Sequence, residues 1–299
     1  MPDDPDESFV IQTVLENRPS GAVPSIANNG NGLALYAPGD DAASIPGEAV
    51  VTVDAMVEEV HWDDRMSAAD VGWKLVASNA SDINAMGAKP DWAVLTMCLP
   101  RPLDRSWVVQ FAQGLGQALS KWSIQLIGGD TTRSPSSRML SLTMGGSTSH
   151  PVDRCGATAG DDIWVTGSLG GAAAGFFGET EDKSAFLRPS PPIGLGAALA
   201  EANVATAMMD LSDGLSQDLP RLCLASGVGA VVDESALPAH SSLLSHSQPL
   251  PYLVGFGEEY ELLFTASPDM RRSIEAIGES HGAKMSRIGC IHGDPSSGV

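Results

Sequence analysis

The sequence predicts a mixed α/β protein of two domains. The chain has 299 residues, which exceeds the length of one typical domain. Strand-like and helix-like segments alternate along it, and a polar, glycine-containing stretch at residues 149–161 interrupts the alternation. We therefore expect one domain over residues 1–149 and a second over residues 150–299.

In the first half, β-branched runs predict strands, and apolar residues at helical spacing predict helices. The strands are expected at residues 49–54, 92–99, 123–127 and 138–148. The helices are expected at residues 68–86 and 103–122. Asp82 lies near the end of the first helix, the aromatic residues of the second helix are assigned to the core, and the third strand leads into a turn at residues 128–132.

The second half repeats this alternation of strands and helices. The strands are expected at residues 163–166, 207–210, 261–266 and 284–291. The helices are expected to begin at Gly170, Leu215 and Pro268. A proline-rich connector at residues 189–192 separates the first helix from the next strand. The helix that begins at Leu215 is expected to end near Gly227, because glycine commonly terminates helices.

Composition narrows the class of protein. Hydrophobic residues make up 43% and charged residues 18% of the chain, as in ordinary globular proteins. The net charge of −20 argues against nucleic acid or an anionic membrane as a partner, because the electrostatic term would be repulsive. The four cysteines are scattered singly, which indicates neither a zinc site nor a disulfide framework. An acidic N-terminus and the lack of a membrane-spanning apolar run predict a cytoplasmic protein.

Aspartates in short glycine- or serine-flanked runs point to bound metal. They occur at Asp40, Asp41, Asp54, Asp82, Asp130, Asp210 and Asp213. Convergent carboxylate oxygens suit a hard cation such as Mg²⁺, and a metal held in this way usually also holds a phosphate. The sequence lacks the GxxxxGK[ST], HExxH and GxSxG motifs and the protein-kinase motif set. Phosphoryl transfer remains possible without them, since it depends on positioning and charge neutralisation.

Six motifs together resemble the thiamine-monophosphate kinases, in that family's order and spacing. They are GDDAA (39–43), VTVDAMVEEVHW (51–62), SNASDINAMGAKPDW (78–92), LIGGDTTRS (126–134), DLSDGLSQDL (210–219) and GEEYELLF (257–264). The family shares its fold with aminoimidazole-ribonucleotide synthetases, selenophosphate synthetases and hydrogenase-maturation proteins. The resemblance implies an N-terminal α/β domain that dimerises through its sheets, a C-terminal α/β domain, and ATP bound with several Mg²⁺ ions between them.

Position within the family pattern implies the site residues, of which Arg154 lies in the polar stretch at residues 149–161 and the others lie in the six motifs. The metal ligands would be Asp41, Thr52, Asp54, Asp82, Asp130, Asp210 and Asp213. The ATP-binding residues would be Gly129, Asp130, Arg154 and Ser212. Thiamine monophosphate would contact His61 and Glu258. No catalytic side chain is implied, because the family resemblance together with the carboxylates predicts a direct, metal-assisted, in-line transfer.

Simpler explanations exist for several of these residues. Asp40 and Asp130 could cap turns or helices, and His61 could be an ordinary surface histidine. The glycines of residues 167–171 could serve tight strand-to-helix packing as well as a phosphate loop. We therefore leave that stretch out of the predicted site.

Two departures from the family pattern affect the substrate assignment. The usual GEDYEL motif has Glu259 in place of its aspartate, and the sequence ends at Val299 without the aromatic C-terminal segment that helps to cover the thiamine ring in the family. Two alternatives stay open, another ATP-using enzyme of the same superfamily and a nucleotide-binding protein without turnover. A selenophosphate synthetase would need a reactive cysteine near the N-terminus, whereas the first cysteine here is Cys98.

Overall fold

Two five-stranded β-sheets organise the described part of the chain, which comprises residues 42–45 and 49–295 of this computed structural model. The prediction of a mixed α/β fold is confirmed. All of the described residues belong to a single compact unit. The division into two domains at residue 150 stays a prediction.

The first sheet is built from the first half of the chain and has the strand order β1-β2-β5-β3-β4. Its strands are β1 (Ala43–Ile45), β2 (Ala49–Val57), β3 (Lys89–Leu99), β4 (Gln125–Arg133) and β5 (Met139–Ser147). Neighbouring strands are antiparallel except β3 and β4, which are parallel. The prediction of a turn at residues 128–132 is wrong. These residues lie inside β4, because their backbone pairs with β3 from Val94 to Cys98 and this pairing overrides the turn preference of the glycines.

Helices α1 (Ala68–Ala85) and α2 (Arg105–Trp122) belong to the same half. Helix α1 begins after a capping box in which the Ser67 hydroxyl accepts a hydrogen bond from the Asp70 backbone N–H at 3.2 Å. It packs on β2, β3 and β5, and α2 packs against it. The two helices touch backbone to backbone, since a Cβ added at Gly114 would lie 1.8 Å from the carbonyl oxygen of Ala69.

Side chains alternate between the two faces of the first sheet. On the inner face, Leu140, Leu142 and Met144 of β5 are fully buried in the core beneath α1. On the outer face, Val53 of β2 is 62% exposed, and Thr143 and Val94 follow it in register across β5 and β3. The helices of this half therefore cover the inner face.

The second sheet is antiparallel throughout, with the order β7-β9-β6-β10-β8. Its strands are β6 (Asp162–Thr166), β7 (Ala207–Asp210), β8 (Gly229–Val232), β9 (Leu262–Ala266) and β10 (Met285–His292). Every residue of β6 and β9 is buried, so both faces of the sheet centre are covered. Leu263 packs in the core on one face and Phe264 in the core on the other.

Six α-helices accompany the second sheet in the described residues. They are α3 (Gly171–Phe177), α4 (Ser184–Leu187), α5 (Leu195–Glu201), α6 (Leu215–Ser226), α7 (Leu250–Gly255) and α8 (Arg271–His281). The helix predicted from residue 268 starts as a 3₁₀ turn, Pro268–Met270, before α8 begins. Within the described ranges, none of the helices combines the length and apolar character needed to cross a membrane.

Candidate active site

Helix α1 carries polar side chains through the core, and their partners lie on other elements. Buried polar groups need hydrogen-bond partners, so these contacts fix the elements relative to each other. The Thr52 hydroxyl of β2 donates to Asp82 Oδ2 at 2.7 Å, and the Asp54 N–H donates to Asn79 Oδ1 at 3.2 Å. Ser81 donates to Asp210 Oδ2, at the end of β7, at 2.6 Å. Helix α1 thereby joins the strands that carry the predicted metal ligands Thr52, Asp54 and Asp210.

A buried ion pair links α1 to the segment at residues 257–261, which holds the GEEYE motif. Lys74 Nζ lies 2.5 Å from Glu258 Oε2. The Lys74 side chain is only 2% exposed, whereas that of Glu258 is 29% exposed. Burial lowers the pKa of Lys74, and the charge of Glu258 opposes this shift. Lys74 therefore holds one side of the Glu258 carboxylate and leaves the other side accessible.

The GEEYE segment runs beside the residues that follow β7. Ser212 O accepts from Glu258 N at 2.8 Å, and Leu211 O accepts from Tyr260 N at 2.9 Å. Gly257 has φ +80°, and a Cβ there would lie 2.3 Å from Ser212 O, so the close approach requires glycine. Glu258 and Tyr260 also have positive φ, at 56° and 53°. Such strained backbone is typical of functional sites, because the surrounding structure must hold it in place.

Tyr260 is a buried residue of the GEEYE segment. Burial raises the pKa of its hydroxyl well above its usual value, and the charges of Glu258, Asp54, Asp210 and Asp82 raise it further. The charges of three predicted metal ligands and one predicted substrate residue therefore act on one buried phenol. Sequence reasoning did not single out Tyr260. Its position between two glutamates of a recognised motif was the available signal.

Asp54 and His61 interact electrostatically. Burial raises the pKa of Asp54, while a hydrogen bond from Ser78 and the charge of His61 oppose the shift. His61 Nδ1 accepts from the Val57 N–H at 3.0 Å, so the ring presents its Nε2 as the second polar atom. His61 is exposed. It is oriented by its own turn and can donate a hydrogen bond to a ligand.

Asp130 lies apart from Asp54 in the sheet. Residues that pair side by side across the strands form a row. The row of Asp130 includes Thr96 of β3, whereas the row of Asp54 is the next one and includes Leu95 of β3. Side chains of neighbouring rows point to opposite faces. Gly129 lies in the Asp54 row, on the exposed strand β4. The structure does not bring Asp130 to Asp54, and its role as a metal ligand stays a prediction.

The remaining predicted residues differ in their surroundings. Asp213 is exposed and forms an ion pair with Arg221, which also contacts Asp218 at 2.9 Å. Ser212 lies between Asp210 and Asp213, with its carbonyl bound to the GEEYE segment. Arg154 lies in the polar stretch between β5 and β6. Asp41 lies outside the described residues.

The donor chemistry fits Mg²⁺, although the carboxylates are not gathered into a cage. Asp82 is half-buried and Asp210 is buried, and carboxylate oxygens of this kind suit a hard cation. Among residues 42–45 and 49–295, no three His, Cys, Asp or Glu side chains are close enough to hold one ion. This arrangement is compatible with Mg²⁺, because that ion commonly uses one or two carboxylates together with water and substrate phosphates.

The glycine-rich turn at residues 167–171 binds an internal carboxylate. Glu259 Oε1 accepts from the Gly170 N–H at 2.7 Å, and the N–H groups of Gly171 and Ala172 lower the pKa of this side chain. These are the groups that a phosphate would need. The turn therefore anchors Glu259, and the residue that departs from the family motif has a structural partner.

Comparison with known proteins places the chain in a family. The model of the AIR synthase related protein, N-terminal domain, matches residues 39–148, and that of the C-terminal domain matches residues 158–299. The thiamine-monophosphate kinase of Salmonella typhimurium strain LT2 is 37% identical over 276 residues, covering 86% of this chain and 84% of the relative.

Solved structures agree with this match. The crystal structure of thiamine-monophosphate kinase from Stenotrophomonas maltophilia K279a has a TM-score of 0.76 and 36% identity, covering 86% of this chain and 88% of that one. AaThiL complexed with AMPPCP and TMP has a TM-score of 0.77 and 27% identity, covering 95% and 89% of the two chains. The resemblance seen in the six motifs is confirmed, and the chain belongs to the thiamine-monophosphate kinase family within the AIR synthase related proteins.

Proposed function

We propose that this protein transfers the γ-phosphate of ATP to thiamine monophosphate, which gives thiamine diphosphate and ADP. The observation that carries the proposal is the set of contacts that joins helix α1 to four predicted site residues: Thr52 and Asp54 of β2, Asp210 at the end of β7, and Glu258 of the GEEYE segment. Family membership supports the choice of substrates, since the related AaThiL has been solved with AMPPCP, an analogue of ATP, and TMP.

The proposed Mg²⁺ ligands fall into two groups. Thr52, Asp54, Asp82 and Asp210 belong to the connected group around α1, and Asp41, Asp130 and Asp213 are assigned by motif position. Bound Mg²⁺ would offset the repulsion between two anionic phosphates. In a chain of net charge −20 such an offset is needed, because few cationic side chains are available to receive the substrates.

The chain's own residues would orient the acceptor. Lys74 fixes Glu258 so that its accessible oxygen can contact thiamine monophosphate, and His61 can donate from Nε2. The Ser81 hydroxyl is buried and donates to Asp210, so it is not poised to attack a phosphate. We propose direct in-line transfer, because positioning and charge neutralisation account for phosphoryl transfer without a covalent intermediate.

Nucleotide binding, assembly and location complete the proposal. ATP would contact Gly129, Asp130, Arg154 and Ser212. Two copies of the chain would pair through the outer face of the first sheet, where Val53 is exposed. The enzyme would work in the cytoplasm on small molecules, without a nucleic-acid or membrane partner.

The first test is substrate-dependent release of ADP. Wild-type protein with ATP and Mg²⁺ should release ADP when thiamine monophosphate is added and much less without it. Asp54→Asn keeps the size of the side chain but loses its charge, so turnover should fall by about 100-fold or more. An exposed carboxylate away from the site, Glu275 of α8, provides the matched control as Glu275→Gln.

Two results would contradict the proposal. Release of ADP at the same rate with and without thiamine monophosphate would remove the substrate assignment. A phosphorylated enzyme that forms with ATP alone and then passes its phosphate to thiamine monophosphate would remove direct transfer.

A further inference from the structure

Four of the seven phenylalanines of the chain form one group, here called the phenylalanine cluster: Phe176, Phe177, Phe186 and Phe256. The Phe176 centroid lies 5.0 Å from that of Phe177, 5.2 Å from that of Phe186 and 4.9 Å from that of Phe256. Aromatic residues make up only 5% of the chain, so this concentration is unusual for it. The residues come from α3, α4 and the segment before Gly257, and no local sequence pattern predicts that they meet.

Two rings of the cluster hold cations supplied by the protein. The guanidinium carbon of Arg65 lies 4.1 Å from the Phe176 centroid, and Lys74 Nζ lies 4.2 Å from the Phe186 centroid. The negative face of an aromatic ring attracts such cations, more strongly where water is excluded. The cluster is therefore a surface on which positive charge is favourable.

Phe177 is the exposed ring of the cluster. It ends α3, is 59% exposed, and meets the rings of Phe256 at 5.6 Å and Tyr252 at 5.8 Å edge-on. Within the described part of the chain, no Lys or Arg lies over its ring. The Tyr252 hydroxyl donates to Glu179 Oε1 at 3.1 Å, which places a carboxylate beside the exposed aromatic surface. Aromatic faces next to an acid suit a cationic, aromatic ligand.

The cluster adjoins the proposed substrate residues. Phe256 precedes Glu258 by two residues, so their Cα atoms lie within about 7 Å. Arg65, over Phe176, follows His61 by four residues on the same connection after β2. Lys74, over Phe186, is the ion-pair partner of Glu258. A ligand held by His61 and Glu258 therefore has the phenylalanine cluster as its neighbour.

We propose that Phe177, flanked by Tyr252 and Phe256, binds the ring system of thiamine monophosphate and selects for its positive charge. This inference rests on the proposed function. The thiazolium ring carries a permanent positive charge and the aminopyrimidine ring is aromatic, so the Phe177 face offers cation–π contact and ring packing together. Glu179, which accepts from the Tyr252 hydroxyl, adds negative charge beside these rings.

The test compares Phe177→Leu with Phe177→Tyr. Leucine keeps an apolar side chain but removes the ring, so the KM for thiamine monophosphate should rise between about threefold and thirtyfold. The KM for ATP and kcat should stay close to their wild-type values. Phe177→Tyr keeps the ring and should keep the KM for thiamine monophosphate close to the wild-type value. Because Phe177 is largely exposed, both variants are expected to fold, and the thermal midpoint checks this.

Calorimetric titration with thiamine separates the inference from the proposed function, because it requires no turnover. Phe177→Leu should bind thiamine more weakly than wild type, whereas Leu224→Ala, which alters an exposed residue of α6, should not. For a neutral analogue with a thiophene ring in place of thiazolium, the difference in affinity between wild type and Phe177→Leu should be smaller than for thiamine, because only ring packing remains. Equal thiamine affinity of wild type and Phe177→Leu would overturn the inference. An inactive wild type that still shows the affinity difference would overturn only the proposed function.

Discussion

Glu259 and Glu261 are two carboxylic acids buried against the turn at residues 167–171. Burial raises the pKa of Glu259 to about 8 and that of Glu261 to about 7. The charge of Glu261 raises the pKa of Glu259 further, and the backbone N–H of Gly170 opposes this. Thr166 donates to Glu261 Oε2, so each acid has its own hydrogen-bond partner. Near neutral pH the pair therefore favours a state with at least one bound proton.

This pair predicts a pH dependence of stability. The unfolded chain releases the Glu259 proton near its ordinary pKa, 4.5, while the folded chain keeps it until about pH 8. The folded state then binds more protons in this window, so the free energy of unfolding falls as pH rises from about 4.5 to 8. Glu259→Gln cannot ionise, so its stability relative to wild type should improve by about 1 to 3 kcal/mol between pH 5.5 and 8.

Urea unfolding at the two pH values measures this difference. Glu201→Gln, at an exposed position on α5, is the control and should follow the wild-type pH dependence. If Glu259→Gln and wild type lose stability in parallel between pH 5.5 and 8, Glu259 does not carry the bound proton.

Single residues also show what the sequence could predict about the site. Motif position identified Asp54, Asp82 and Asp210, and hydrogen bonds of helix α1 connect all three. Lys74 could not be found in this way, because its partner Glu258 lies 184 residues further along the chain. Local patterns report spacing within an element, whereas such pairs depend on tertiary packing.

At the scale of elements, α1 is the part of the chain that connects the site. Its apolar spacing predicted a helix over residues 68–86, and the structure has it at Ala68–Ala85, beginning after a capping box at Ser67. The full length of strand β4 was harder to predict from the sequence, because Gly128 and Gly129 favour a turn when only their neighbours in the chain are considered. Pairing with β3 supplies backbone hydrogen bonds that outweigh this preference.

The ion pair between α1 and the GEEYE segment predicts an asymmetry between two substitutions. Glu258→Gln leaves the ammonium group of Lys74 buried without its opposite charge and should lower the free energy of unfolding by about 2 to 4 kcal/mol. Lys74→Met keeps the apolar packing, and the unpaired Glu258 carboxylate can reach water. This substitution should therefore lower the free energy of unfolding by only about 1 kcal/mol. Chemical denaturation of both variants with an unchanged m-value measures the difference.

The double variant, Lys74→Met with Glu258→Gln, is the control for this asymmetry. It contains neither charge and should be more stable than Glu258→Gln alone. Equal losses of stability in Glu258→Gln and Lys74→Met would mean that the Lys74 ammonium group reaches water when Glu258 is replaced.

At the scale of the whole molecule, the first sheet has one face that the helices of the described residues do not cover. Helix α1 packs on the inner face, and α2 packs on α1. On the outer face Val53 is 62% exposed in the middle of β2, and Thr143 follows it in register on β5. Apolar surface of this kind on a soluble protein commonly marks a contact with another copy, and a two-fold pair is the commonest homo-oligomer.

We therefore expect Thr143→Arg to separate a homodimer into monomers. The substitution puts a charge in the centre of the outer face, where pairing would bury it without a partner at a cost of several kcal/mol. Val109→Arg, on an exposed position of α2, is the matched control and should leave the assembly unchanged. Sedimentation velocity at micromolar protein gives the mass of each. A wild-type monomer with full activity would contradict the prediction, because pairing through this face would then serve neither folding nor turnover.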